Sequence, residues 1–183
     1  MSRKPAFSKT PLGGFEVSGF PLVEFDRKPF DQYRIRGFAL DWNEDLTLFQ
    51  DFDTELFQLS GWAVLRNSDI RRYRAIPEGD FLARAAGFQK IRPAMPNGVA
   101  IGSIREAAES AGAKFPLITI YRERIKKNVC HIGSFQRASQ RTLTVREIST
   151  QAKWEEEETF NLRDITKLKF DGTYERLLYA LAK

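Results

Sequence analysis

Apolar and polar positions alternate along most of this chain. "YRIRGFALDW" (Tyr33 to Trp42), "LTLFQDF" (Leu46 to Phe52) and "LFQLSGWAVLR" (Leu56 to Arg66) are rich in aromatic and branched residues and predict half-buried strands. Gly37 predicts a bend or bulge within the first of them. The cluster Asn43-Glu44-Asp45 and the pair Ser68-Asp69 predict turns, since an aspartate can bond its own following backbone. Beyond the second turn, alternation places Tyr73 and Ala75 on one side of a short closing strand and Arg72 and Arg74 on the other. Later segments repeat the pattern: "PLITIYRERI", "NVCHIGSFQ", "RTLTVREI", "EEETFNL" and "DITKLKF".

Helical spacing is confined to short stretches. "SIREAAESAG" opens with a capping box, Ser103 to Glu106, presents Ile104, Ala107, Ala108 and Ala111 on one face, and stops at Gly112. "GTYERLLYALAK" places Tyr174, Leu177, Leu178 and Leu181 at helical spacing, which predicts one buried face. "GDFLARAAG" is the weaker case, with Asp80 as N-cap and Gly87 as stop.

The pattern recurs at a fixed distance. A shift of 95 positions carries Phe20-Pro21-Leu22 onto Phe115-Pro116-Leu117, Arg27 onto Arg122, Thr47-Leu48 onto Thr142-Leu143 and Asp69-Ile70 onto Asp164-Ile165. Val23 and Phe25 meet Ile118 and Ile120, Tyr73 and Ala75 meet Leu168 and Phe170, and Arg72 and Arg74 meet Lys167 and Lys169. This predicts two copies of one supersecondary unit. Gly133 falls one residue from the expected counterpart of Gly37, and the counterpart of Trp62 falls in the acidic run Glu155 to Glu158. That run reads as a solvated edge, because charged edges resist further strand pairing.

Composition narrows the class without naming a function. The 183 residues carry 42% apolar and 29% charged side chains, a globular balance. The fifteen Phe are spread singly through alternating segments, as core packing requires. A formal charge of +5 permits a polyanionic partner and demands none. Cys130 is the single cysteine, so no intrachain disulfide forms, which favours a reducing, cytoplasmic setting. No apolar run approaches the roughly 20 residues of a membrane span. The N-terminus is basic, lacks a continuous apolar core and does not read as a signal peptide.

At the level of pattern, the chain resembles the Sm-like family, small five-strand barrels known for RNA binding and ring assembly. Gly37 stands where the family has a first-strand glycine. "DLTL" (Asp45 to Leu48) and "VLRNSDI" (Val64 to Ile70) stand in the places of its two motifs. The resemblance implies a mainly β fold with a few short helices, two tandem Sm-like five-strand barrels related by an internal repeat. Residues 1–19, with their Pro, Gly and Ser, read as a flexible arm, and the resemblance would make 20–90 the first barrel, 91–100 a linker, and 101–183 a leading helix, the second barrel and a C-terminal helix. Two departures bear on function. Asp45 replaces the asparagine of RNA-binding members, losing amide donors and repelling phosphate. Arg66-Asn67 replaces Arg-Gly, which alters any backbone approach that needs glycine. The second copy has Asn161-Leu162-Arg163, further from the pattern.

The primary expectation is a non-catalytic interaction or assembly module that joins a protein partner, or itself, through sheet edges. RNA or single-stranded nucleic acid is the alternative partner. Such binding combines basic grooves with aromatic platforms, and the candidate residues are Arg66, Arg72, Arg74, Lys167 and Lys169. Within "RRYR", alternation turns Tyr73 away from the arginines, which favours plain core packing for the ring. An enzyme is the least supported reading. His131 is the lone histidine, and Cys130 beside it points to the opposite face of the strand, so the two cannot act as nucleophile and base. No phosphate loop, zinc spacing or nucleophile elbow is present, and no cofactor is implied.

Overall fold

In a computed structural model, residues 14–182 are described. Positions 1–13 of the expected arm lie outside the described residues. The rest of that arm contributes strand β1 (Glu16–Val17), which pairs with the start of β2 (Phe20–Asp26). There follow β3 (Ile35–Trp42), β4 (Leu46–Asp53), β5 (Gln58–Arg66), a 3-10 turn (Asn67–Asp69) and β6 (Arg72–Ala75). Helices α1 (Phe81–Phe88) and α2 (Ile104–Gly112) lead to β7 (Ile118–Tyr121), β8 (Cys130–Ala138), β9 (Thr142–Ile148) and β10 (Trp154–Asn161). A second 3-10 turn (Leu162–Asp164), β11 (Lys167–Phe170) and α3 (Thr173–Ala180) complete the elements of the described residues. The fold is mainly β with a few short helices, as the alternation predicted. Among the described residues, no helix is long and apolar enough to cross a membrane.

Among the described residues the strands form one antiparallel, 11-stranded open sheet rather than two closed barrels, in the order β1-β2-β3-β4-β5-β11-β7-β8-β9-β10, with β6 following β1 along the same edge of β2. Closure of the first unit would need β5 to pair with β6. Instead β5 gives its second edge to β11. Within the sheet one order occurs twice, as β6-β2-β3-β4-β5 and as β11-β7-β8-β9-β10. Asp69 and Asp164 each end the 3-10 turn before the closing strand.

The register refines the repeat. Val23 pairs with Ala75 as Ile118 pairs with Phe170, which is the expected shift. In the central hairpin the shift grows by one. Gly37 faces Asp51 and Gly133 faces Glu147, so Thr47 corresponds to Leu143 and not to Thr142. The β7–β8 connection is one residue longer than β2–β3, and the β9–β10 turn is correspondingly shorter. Both glycines are required by close backbone approach: a Cβ at Gly37 would run into the Gln50 carbonyl, and one at Gly133 into the Arg146 carbonyl.

The continuous sheet decides where the cores lie. Val23, Phe25, Ala39, Phe49, Ala63, Leu65 and Ile70 pack on one face of the first unit, with Tyr73 against them. Their counterparts Ile118, Ile120, Val145, Phe160, Ile165 and Leu168 lie on the opposite face of the sheet. There they join Leu22, Phe38, Leu48 and Val64 from the outer face of the first unit. That outer face therefore needs cover. Ala83 and Ala86 of α1 and Ile104, Ala107, Ala108 and Ala111 of α2 belong to the same core. Asp80 caps α1 through the Leu82 amide, and Ser103 caps α2 through the Glu106 amide, as predicted.

The C-terminal helix departs from expectation. Leu178 is buried, but Tyr174, Leu177 and Leu181 are exposed. The inward stripe of α3 is Glu175 with Leu178, and Glu175 accepts a hydrogen bond from Thr119 Oγ1 at 2.5 Å. Helix α1 also runs past Gly87 to Phe88 and leaves through Lys90 in the left-handed region.

Candidate assembly edges and the joint between the units

At β5·β11 the fourth strand of the first unit meets the fifth strand of the second. Leu65, Val64, Ala63 and Trp62 face Lys167, Leu168, Lys169 and Phe170. Beside these strands lies a buried ionic network. Arg27 is fully buried and donates to Glu123 through both terminal nitrogens, and to Asp31 at 2.6 Å. Lys167 Nζ is 3.2 Å from Glu123 and 4.2 Å from the centre of the Tyr121 ring. Thr166 Oγ1 donates to Glu123 at 2.7 Å. Burial acts to raise the Glu123 pKa. Bonds from Arg27 and Thr166, with the nearby Lys167 and Arg27 charges, outweigh it and hold the carboxyl below its ordinary value. Lys169 Nζ reaches Asp51 at 3.0 Å across the joint.

Lys167 and Lys169 thus lie on an interior strand and are engaged with carboxylates. Arg72 and Arg74 lie on β6 at one end of the sheet, so the four do not share a surface. Arg66 is at the joint as well, donating to the carbonyls of Ile165 at 2.6 Å and Leu162 at 2.8 Å. Burial and then the nearby Arg124 lower its pKa from the ordinary arginine value. It also lines a cavity of about 340 Å³ with Asp45, Arg105 and Arg163.

The ends of the sheet carry opposite charge. On β6, Arg74 faces Glu24 of β2 and Arg72 faces Asp26. Glu24 is nearly buried and serves three guanidiniums, those of Arg34 (2.5 Å), Arg36 (2.9 Å) and Arg74 (3.2 Å). Burial raises its pKa, and the Arg34 hydrogen bond and the three positive charges more than reverse this. The β6 end therefore keeps surplus positive charge. At the other end, β10 presents Glu155 to Glu158, of which Glu157 is bonded to Arg137 at 2.7 Å. Among the described residues, no strand pairs with the outer edge of either β6 or β10.

A polar cluster lies just inside the β10 edge. His131 Nδ1 is 2.6 Å from Glu147 and 3.6 Å from Glu158. Arg122 Nη2 contacts His131 Nε2 at 3.0 Å, and its guanidinium lies over Phe160. Burial first, and then the Glu158 carboxylate, push the Glu147 pKa up against the opposing pull of His131. Sequence reasoning treated His131 as a lone strand residue. The match of Arg27 with Arg122 was the available signal that both units place a guanidinium here, fully buried in the first and half-buried in the second. Glu24, Glu123 and Asp31 gave no periodic signal at all.

The chain matches no protein-family model, and searches of curated proteins and of solved structures give no match.

Proposed function

We propose that the chain is a non-catalytic assembly module made of two copies of one Sm-like unit, and that it associates head to tail with further copies of itself. Strand β10 of one chain pairs with β6 of the next. The observation that carries this reading is the internal β5·β11 joint, because β10 and β6 are the counterparts of its two halves. Antiparallel pairing of the free edges satisfies backbone groups as the internal joint does. Opposite charge favours β6 on β10 and disfavours β6 on β6 or β10 on β10.

Sedimentation or light scattering across protein concentration tests the reading. The mass should rise above the 21.1 kDa of one chain and fall again as salt screens the edges. A constant monomer mass at low salt and high concentration refutes it.

The cavity that places Arg66 beside Arg105 and Arg163 favours a second reading, single-stranded RNA binding. That reading expects salt-dependent binding weakened by Arg163→Gln. Asp45 in the same cavity opposes it, since its carboxylate repels phosphate.

A further inference from the structure

We propose that Arg74 of a second copy seats its guanidinium against Glu147 and Glu158 beside His131, and that this contact fixes the register of the head-to-tail joint. The proposal rests on the assembly reading above. Its geometry comes from the joint already inside the chain. There Lys169 faces Ala63 and reaches Asp51 at 3.0 Å. Arg74 is the counterpart of Lys169, because both lie opposite equivalent residues of β2 and β7 (Glu24 and Thr119). Glu158 is the counterpart of Ala63, since they pair with the equivalent residues Val145 and Phe49, and Glu147 is the counterpart of Asp51, these two being the partners of Gly133 and Gly37. Carrying the internal register to the outer edges places Arg74 opposite Glu158 and within the same diagonal reach of Glu147.

The cluster is short of positive charge in a way that a guanidinium corrects. Arg122 lies 3.8 Å from Glu158 and 3.0 Å from His131, while Glu147 is bonded to His131. Arginine can only donate hydrogen bonds, so Arg122 requires the lone pair of His131 on Nε2. The proton of a neutral imidazole is then on Nδ1 and directed at Glu147, 2.6 Å away. A metal ion would need that nitrogen unprotonated and would have to displace Arg122, whereas an incoming N–H fork needs only the free carboxylate lone pairs. On the donor side Arg74 is the most easily released of the three arginines on Glu24. Its contact is the longest of the three, and Arg34 and Arg36 remain in place.

A charge exchange tests this by sedimentation equilibrium at low salt. Arg74→Glu and Glu158→Arg, each alone, should raise the dissociation constant of self-association by at least about tenfold, because each sets like charges across the joint. Mixing the two variants should restore assembly, since Glu at 74 then meets Arg at 158 and the remaining edges are wild type. Arg74→Gln should also weaken assembly, without placing a carboxylate against Glu24. Circular dichroism of each variant should match the wild type. Variants that associate as the wild type does, or a mixture no stronger than its parts, would overturn the contact while leaving head-to-tail assembly standing. A wild-type chain that stays monomeric would overturn both.

Discussion

Glu123 tests whether the two units are held by a buried ionic joint. Glu123→Ala removes the acceptor shared by Arg27, Lys167 and Thr166. Arg27 then keeps only Asp31 on one terminal nitrogen, and its Nε already lacks a partner. The side chain is fully buried, so water cannot replace the lost carboxylate without opening the joint. Breaking a buried pair by removing one partner costs about 3–5 kcal/mol. With a urea dependence of about 2 kcal/mol/M, the midpoint should fall by about 1.5–2.5 M at pH 7. The Glu123 carboxyl is held below its ordinary value in the fold. Its stabilisation is therefore complete above the unfolded pKa, near 4.5, and is lost as pH falls through the lower folded value. Wild type and Glu123→Ala should converge in stability as acid approaches and passes that point. Replacing both partners, Arg27→Met with Glu123→Met, should recover much of the loss, since apolar substitutes of similar size leave no stranded charge. A Glu123→Ala loss below about 1 kcal/mol would refute the claim that this network is dry and holds the joint.

Two further outcomes are expected. Leu178→Ala should cost about 2–5 kcal/mol in a denaturation experiment, whereas Leu177→Ala on the exposed side of α3 should stay within about 0.5 kcal/mol; equal losses would mean that α3 lies on a different face. Gly133→Ala should destabilise more than Gly172→Ala, because its Cβ would meet the Arg146 backbone while that of Gly172 meets side-chain atoms of Glu175 and no backbone; the comparison is read from paired unfolding midpoints.

Much of the strand pattern was legible because it depends on local alternation. Tyr73 against Arg72 and Arg74, the aspartates ending both 3-10 turns, and the caps Asp80 and Ser103 needed only near neighbours in sequence. What escaped depended on contacts across the joint. Lys167 looked like an outward charge, since Leu168 and Phe170 claim the core side of its strand. In an edge strand that inference would hold, as it does for Arg72. Strand β11 is interior, so the outward side of the second unit becomes a shared interface, where Glu123 and Asp31 neutralise the lysine. The Thr47 match failed by one residue for a related reason. Compensating length changes in two connections leave the ends of the repeat aligned and shift only its middle. On α3, helical spacing named four apolar positions, but a helix eight residues long buried only one of them, beside a glutamate that bonds Thr119.

The two joints should differ in strength, and the difference follows from one position. Glu123, which anchors Arg27 inside the chain, has Lys28 as its counterpart in the first unit. A head-to-tail joint would therefore bring Lys28 of one copy toward Arg122 of the other, where the internal joint has opposite charges. It would have no equivalent of the buried Arg27–Glu123 pair. Its attraction has to come from Arg72 and Arg74 meeting the Glu155–Glu158 edge, on side chains that stay partly exposed and are screened by salt. On the assembly reading the external joint is then the weaker and reversible one. Lys28→Glu should strengthen association by supplying the missing carboxylate to Arg122, and in sedimentation at fixed salt its dissociation constant should fall. An unchanged or higher value would mean that the outer joint does not copy the register of the inner one.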